Sequence, residues 1–232
     1  MTGTPSLPNR SLALPFLLPY LAYVAVASIP GDWLAREANY GLRILLAGAA
    51  LAWGWRRIGP LRGPRSPLLS VAIGTGAGLV GTVLWILLLL PFVAREGAPW
   101  GASAFWLRFA AAGLLVPVFE ELAMRGYVLR VAVQWGEARR AGSADPLAEA
   151  LERRSLRDLA PGAATTFAVL VSTLVFALGH NLREIPAALV YGLLMAGLWI
   201  TRKDLLSCIA AHAATNIALA VYVRSSGSWG LW

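Results

Sequence analysis

The chain has 232 residues, of which 58% are hydrophobic and 14% are charged, with a mean hydropathy of +0.63. Soluble domains carry about 25% charged residues, so this composition excludes an ordinary soluble domain and indicates a polytopic membrane protein. The net charge of +8 does not indicate a nucleic-acid partner, because the basic residues lie in short segments between apolar runs, where membrane topology places them. The single cysteine, Cys208, excludes an internal disulfide, and we interpret it as a small buried apolar residue.

Seven apolar runs follow one another along the chain, and about 20 residues are needed to cross a bilayer as a helix. They cover residues 11–29, 40–55, 68–93, 103–133, 162–180, 186–200 and 205–223. The first run ends on Ala25-Val26-Ala27, which resembles a signal-peptidase site. Because this run is long enough to cross and contains two prolines, we expect an uncleaved span. The sequence therefore predicts one all-α domain, residues 1–232, built as a transmembrane helix bundle of about seven spans.

The third and fourth runs contain residues that predict local structure. Gly74 and Gly78 have the small-xxx-small spacing that lets two membrane helices approach closely, so we expect a helix contact there. The fourth run is longer than a bilayer needs, and Pro117 removes a backbone donor one turn before Glu120. We expect a tilted or kinked helix with a local opening that admits water.

The longest polar segment, residues 135–161, separates the fourth and fifth runs. Between positions 145 and 159, Leu147, Leu151 and Leu159 fall near one helical face with charges opposite. This pattern predicts a short amphipathic helix on the membrane interface. An ordinary solvated loop is the alternative interpretation.

Basic residues are distributed unevenly between the two sides of the predicted membrane domain. The segments that follow the second, fourth and sixth runs contain Arg56, Arg57, Arg62, Arg65, Arg139, Arg140, Arg153, Arg154, Arg157, Arg202 and Lys203, and the other segments contain Arg36, Arg95 and Arg183. The positive-inside rule then predicts a cytoplasmic N-terminus, with Trp229 and Trp232 at the outer interface. The near-exclusive use of arginine over lysine favours a bacterial inner membrane.

Two adjacent carboxylates and an arginine interrupt the fourth apolar run. Glu121 and Arg125 are one helical turn apart and can pair, whereas Glu120 points about 100° away and has no local cation. Ionisable side chains inside a membrane are costly and mark functional sites. Glu120 is therefore the carboxylate left free for chemistry.

The only two histidines also lie in apolar runs. His180 ends the fifth run, and His212 shares one face of the seventh with Asn216. A desolvated Glu120 beside histidines suits general-base activation of a water molecule shared with His180. We expect these side chains to converge on one polar cavity. Each of them taken singly is also consistent with a helix-packing hydrogen bonder.

Three motifs carry these residues in order within residues 116–216, namely EExxxR (Glu120, Glu121, Arg125), FxxxH (Phe176, His180) and HxxxN (His212, Asn216). Together they resemble the CPBP family, which comprises the CAAX prenyl-protein endopeptidases and the bacteriocin-processing, Abi-type intramembrane proteases. The short length and the tail, residues 214–232, more loosely resemble the bacterial CAAX protease-related branch found with exosortase or myxosortase protein sorting.

The resemblance implies an intramembrane endopeptidase in which Glu120 and His180 activate water. It makes His212 and Asn216 the oxyanion-stabilising pair. Arg125 and Phe176 support the site. Glu121, counted with the catalytic set, either orients Glu120 or contacts the substrate.

The expected substrate is a membrane-associated protein or peptide cleaved near its C-terminal end, such as a C-terminal sorting helix. The other expected partner is the lipid bilayer, while the oligomeric state stays open. No cofactor is expected, although Glu120, His180 and His212 have the inventory of a His₂Glu zinc site. Two features favour metal-free glutamate catalysis: an HExxH spacing is absent, and Asn216 lies on the helical face of His212.

Two other functions fit parts of the pattern. A proton-coupled transporter would also place glutamate and histidine inside the membrane, but the sequence shows no internal repeat of the kind that many transporters have. A non-catalytic immunity or scaffold protein would fit the hydropathy equally well. Against it, every motif residue is present.

Overall fold

A computed structural model describes residues 7–232 of the chain, and within that range the fold is all helical. The helices are α1 (Asn9–Ala27), α2 (Arg36–Ile58), α3 (Pro67–Leu89), α4 (Ala102–Arg140), α5 (Pro146–Glu152), α6 (Thr166–Leu178), α7 (Ile185–Arg202) and α8 (Leu205–Ser226). The predicted all-α class is confirmed. The predicted domain also includes residues 1–6, which lie outside the described residues.

Five helices are long and apolar enough to cross a membrane: α1, α3, α4, α8, and α7 together with the short turn before it. The predicted count of seven is not confirmed, because α2 and α6 fall short. Helix α2 has charged residues at both ends and Arg43 between them. Helix α6 has 13 residues, since Thr165 caps its first turn by accepting the Ala168 N–H at 3.2 Å.

Helices α3 and α8 pack along most of their length, and the predicted glycine face makes this possible. A Cβ atom on Gly74 would lie 2.3 Å from the carbonyl oxygen of Ser207, and one on Gly78 would lie 2.2 Å from that of Ala211. Real side chains do not fit at such distances, so the prediction of a close helix contact is confirmed. The contact sets the position of the helix that carries His212.

Helix α4 is irregular on both sides of the glutamate pair. Two π-helical segments, Ala111–Leu115 and Leu122–Val128, flank the α-helical turn Val116–Glu121. Pro117 lies between them and has no N–H to donate to the preceding turn. The predicted irregularity at Pro117 therefore takes the form of π turns, a feature that often accompanies functional sites.

At the arginine-rich end, helix α5 is fastened to the bundle by Asn9. The buried Asn9 amide donates to Gln134 at 2.6 Å and to the Ala150 carbonyl at 2.7 Å, and its oxygen accepts the Leu156 N–H at 2.5 Å. The predicted amphipathic helix thus ends early, at Glu152, because the chain turns to make these bonds.

The predicted apolar face of that helix contacts the bundle in part. Leu151 and Leu159 pack against the core, where Ala150 and Leu156 are buried, whereas Leu147 is 43% exposed. Residues Pro146–Glu152 are helical, so the alternative of an ordinary loop is wrong for them. The position of this helix on a membrane interface stays a prediction.

Candidate active site

A cavity of about 280 Å³ lies between the helices near the end where α6 and α8 stop. Its lining includes Glu120 from α4, His180 after α6, Tyr191 from α7, and His212 and Asn216 from α8. The structure therefore brings together four of the residues singled out in the sequence. Glu121 and Arg125 lie behind this lining and are fully buried.

His212 lies between the two adjacent carboxylates. Its Nδ1 is 3.0 Å from Glu121 Oε1, and its Nε2 is 3.8 Å from Glu120 Oε2. Glu121 is fully buried, whereas the Glu120 side chain is 14% exposed and faces the cavity. Consecutive helical residues thus reach opposite nitrogens of one imidazole ring, an arrangement that local spacing does not predict.

Arg125 links three elements behind the cavity. Its Nη1 is 3.2 Å from the Glu121 carboxylate, which confirms the predicted i,i+4 pair. Its Nη2 donates to the Gly192 carbonyl at 3.0 Å, and its guanidinium lies 5.2 Å from the centre of the Phe176 ring. Arg125 therefore holds Glu121 in place and fixes α4 against α6 and α7.

His180 is oriented by its own helix. Its Nδ1 lies 2.9 Å from the Phe176 carbonyl oxygen, which can only accept, so Nδ1 carries the proton. In the neutral ring Nε2 is then an acceptor. The ring packs between Trp85 at 5.4 Å and Phe176 at 4.6 Å, and it lines the same cavity as Glu120.

Asn216 has a partner that follows from the π turn of α4. The Val116 N–H donates to Ala111, five residues back, so it does not reach the Ala112 carbonyl. The next possible donor would be residue 117, which is a proline. Asn216 Nδ2 donates to the Ala112 oxygen instead, at 2.8 Å. One of its two amide hydrogens is thereby used, and the other stays available to the cavity.

Sequence analysis missed several residues of the cavity. The Tyr191 hydroxyl donates to Thr215 Oγ1 at 3.0 Å, and its ring lies 5.8 Å from that of His212. Arg43 and Arg108 also line the cavity. Both arginines occur inside predicted spans without an acidic residue one turn away, and that signal was available in the sequence.

No group of three or more histidine, cysteine, aspartate or glutamate side chains in residues 7–232 is placed to hold a metal ion. Glu120, His180 and His212 share the cavity, and the bond from His212 Nδ1 to Glu121 leaves its Nε2 facing Glu120. A zinc site of the His₂Glu type therefore stays an alternative, which activity in a strong chelator tests.

The family model described as "Type II CAAX prenyl endopeptidase Rce1-like" matches residues 80–218, which is more than half of the chain. The chain belongs to this family. The matched region contains all three motifs and leaves out α1 and α2. The resemblance stated from the motifs is therefore confirmed, and with it the assignment to a family of membrane proteases.

A curated relative from Rhizobium meliloti (strain 1021), adenosylcobinamide-GDP ribazoletransferase, is 37% identical over 89 residues. That match covers 34% of this chain, and the chain spans 30% of the relative's length. No solved structure matches the chain.

Proposed function

We propose that the chain is an intramembrane endopeptidase that hydrolyses a peptide bond near the C-terminal end of a membrane-associated protein. One observation carries the proposal: in a member of the CAAX endopeptidase family, Glu120, both histidines and Asn216 line one cavity inside a helical bundle. A cavity with a carboxylate and two imidazoles supplies the groups that amide hydrolysis needs.

Glu120 and His180 are proposed to activate the water molecule. In the neutral His180 ring, Nε2 is an acceptor because Nδ1 donates to the Phe176 carbonyl. A water between this nitrogen and the Glu120 carboxylate would donate one hydrogen to each. Glu120 takes the proton as the water oxygen attacks the scissile carbonyl carbon, and the proton passes to the leaving amine.

His212 is proposed to stabilise the oxyanion, and its partner explains why it differs from His180. The Nδ1 of His212 faces a carboxylate, Glu121, whereas that of His180 faces a neutral carbonyl. The Nε2 of His212 faces the cavity beside Glu120, and with a proton on it this nitrogen can donate to the oxyanion. The second amide hydrogen of Asn216 would complete the oxyanion hole, where each donor contributes about 3–4 kcal/mol.

Glu121 then acts through His212 as a positioning residue. It holds the ring so that Nε2 faces the cavity, and Arg125 holds the Glu121 carboxylate in place. In soluble serine proteases a buried carboxylate orients the catalytic histidine in the same way.

The cavity lies at the end of the bundle that is poor in arginine, so we propose that cleavage occurs on the non-cytoplasmic side. The arginine-rich loops meet at the opposite end, where Leu205 N–H donates to Leu61 at 3.1 Å and Arg157 donates to the Arg57 carbonyl at 3.0 Å. A reporter after Trp232 should report the outer side and one near Gly142 the cytoplasmic side. Both reporters on one side would contradict this orientation.

The test of catalysis compares purified wild type with Glu120→Gln in lipid vesicles. Each is incubated with detergent-extracted membrane proteins, and new C-termini are identified by mass spectrometry. Wild type should produce specific new C-termini, and Glu120→Gln should slow their formation at least about a hundredfold, the usual contribution of a general base. Glu152→Gln, on the exposed helix α5, is the matched control and should retain activity.

Two results would overturn the proposal. Either wild type yields no new C-termini, or Glu120→Gln is as active as wild type. A separate arm repeats the assay in a strong chelator. Unchanged activity supports the metal-free mechanism, whereas loss of activity that returns with added zinc contradicts it.

A further inference from the structure

Two arginines that the catalytic proposal does not use line the same cavity as Glu120. Arg43 comes from α2, which lies outside the family-matched region, and Arg108 comes from the first turns of α4. Neither forms an ion pair with another residue of the described chain. Tyr23 lines the same cavity.

Arg43 is held by neutral groups. Its Nε donates to Asn39 Oδ1 at 2.6 Å, and its guanidinium lies 4.5 Å from the centre of the Tyr40 ring and 5.2 Å from that of Tyr23. Stacking on aromatic rings occupies the face of the guanidinium and leaves its terminal N–H groups at the edge.

Arg108 is held in the same way. Its guanidinium lies 4.4 Å from the centre of the Trp232 ring and 5.1 Å from that of Trp100. Cation–π contacts position a charge without neutralising it. The lining of the cavity therefore presents two oriented cations.

The carboxylates of the cavity lining are engaged elsewhere. Glu184 Oε2 accepts from the Asn181 backbone at 2.9 Å and from its side chain at 3.1 Å. Glu120 faces His212. Two cations that share a cavity without a carboxylate of their own favour an anionic ligand, and a planar carboxylate suits the fork of the guanidinium group.

We propose that Arg43 and Arg108 are specificity-determining residues that bind the terminal carboxylate of the substrate. The identity of the ligand, a carboxylate of the substrate, rests on the protease function proposed above. Both arginines line the same cavity as Glu120, so a carboxylate bound by them would lie in the cavity that holds the scissile bond.

The test measures binding rather than cleavage. The probe is N-dodecanoyl-Ala-Ala-Leu, used as the free acid and as the C-terminal amide, with protein in nanodiscs of zwitterionic lipid and empty nanodiscs as the blank. The Glu120→Gln variant is used throughout so that the probe stays intact. The acid should bind about ten to a hundred times more tightly than the amide, the range expected for hydrogen bonds to a charged group.

Adding Arg43→Gln and Arg108→Gln together should abolish the preference for the acid and leave binding of the amide unchanged. Arg95→Gln, an exposed arginine in a loop at the same end of the bundle, is the matched control and should keep the preference. Equal binding of acid and amide, or no binding of either, overturns the proposal.

A lipid phosphate is the other source of an anion with this chemistry. If the arginines bind lipid, the acid preference is absent in zwitterionic discs, and the double arginine variant retains less phosphatidylglycerol than its parent during purification. That result also overturns the proposal. Failure of catalysis is a separate result, because the acid preference is measured on a protein that does not cleave.

Discussion

The two ends of the bundle differ in whether their polar side chains are paired with one another. At the arginine-rich end, polar side chains pair with one another: Arg154 lies 2.9 Å from Glu137 and 2.6 Å from Glu149, and the buried Asn9 and Gln134 share a hydrogen bond. At the cavity end, Arg43 and Arg108 have no acidic partner in the described chain. Polar groups that satisfy each other stabilise the fold, and those left over are available to a substrate.

The Glu121–Arg125 pair combines a property of each end of the bundle. It is fully buried like a structural pair, yet it orients His212 at the cavity. We expect substitutions at the arginine-rich end to change the free energy of unfolding. Substitutions at the cavity end should change substrate binding or the rate of cleavage. The four predictions below test that separation, and the buried thiol of Cys208 provides the readout, since thiol dyes react with it only on unfolding.

The largest effect is expected for Arg125→Met. It leaves the Glu121 carboxylate buried without its cation and the Gly192 carbonyl without its donor. Breaking a buried pair costs about 3–5 kcal/mol of unfolding free energy. Thermal labelling of Cys208 should shift to clearly lower temperature. Arg108→Met is the control and should leave the labelling temperature almost unchanged, whereas an equal shift in both variants would contradict the comparison.

Asn9→Ala should be the next most damaging change, although Asn9 is far from the cavity. It removes the bonds to Gln134, Ala150 and Leu156. Each of these three hydrogen bonds contributes a net of about 0.5–1.5 kcal/mol, so we expect a smaller loss than for Arg125→Met. The rate of substrate cleavage below the unfolding temperature should stay near that of wild type. Asn181→Ala, an exposed asparagine at the cavity end, should not shift Cys208 labelling.

Asn216→Ala tests whether one residue contributes both to the stability of the fold and to the rate of cleavage. The Ala112 carbonyl would lose its donor, at a cost of about 1–3 kcal/mol. Adding Pro117→Ala supplies a backbone N–H in the same turn and should restore the labelling temperature. It should not restore the rate of cleavage. Recovery of both would show that Asn216 acts only through the shape of α4.

The smallest effect is expected for Arg154→Gln at the arginine-rich end. Hydrogen bonds from Arg154, and then from Ser143, hold the pKa of Glu149 below its ordinary value of 4.5. A lowered pKa in the folded state stabilises the fold at neutral pH, and the contribution is lost as the pH falls through that lowered value. Arg154→Gln should therefore be slightly less stable than wild type at pH 7. The difference should vanish in acid, and one that grows there would contradict the assignment.

The sequence by itself determined the properties that depend on local chemistry. Hydropathy predicted seven spans and five of them are helices long and apolar enough to cross a membrane, because the free energy of crossing a bilayer sums over about twenty consecutive residues. The i,i+4 pairing of Glu121 with Arg125 and the irregularity at Pro117 were predictable because each involves a single helical turn. The motif residues were found in the same way, by type and spacing.

Only the tertiary structure decided how those residues meet. His212 lies between Glu120 and Glu121, and Asn216 reaches Ala112, because the glycine face of α3 sets the position of α8 against α4. The partners of Arg43 and Arg108 likewise depend on helix rotation. Rotation is determined by packing between distant segments, and the hydropathy of a membrane helix that is apolar on nearly all sides contains little information about it.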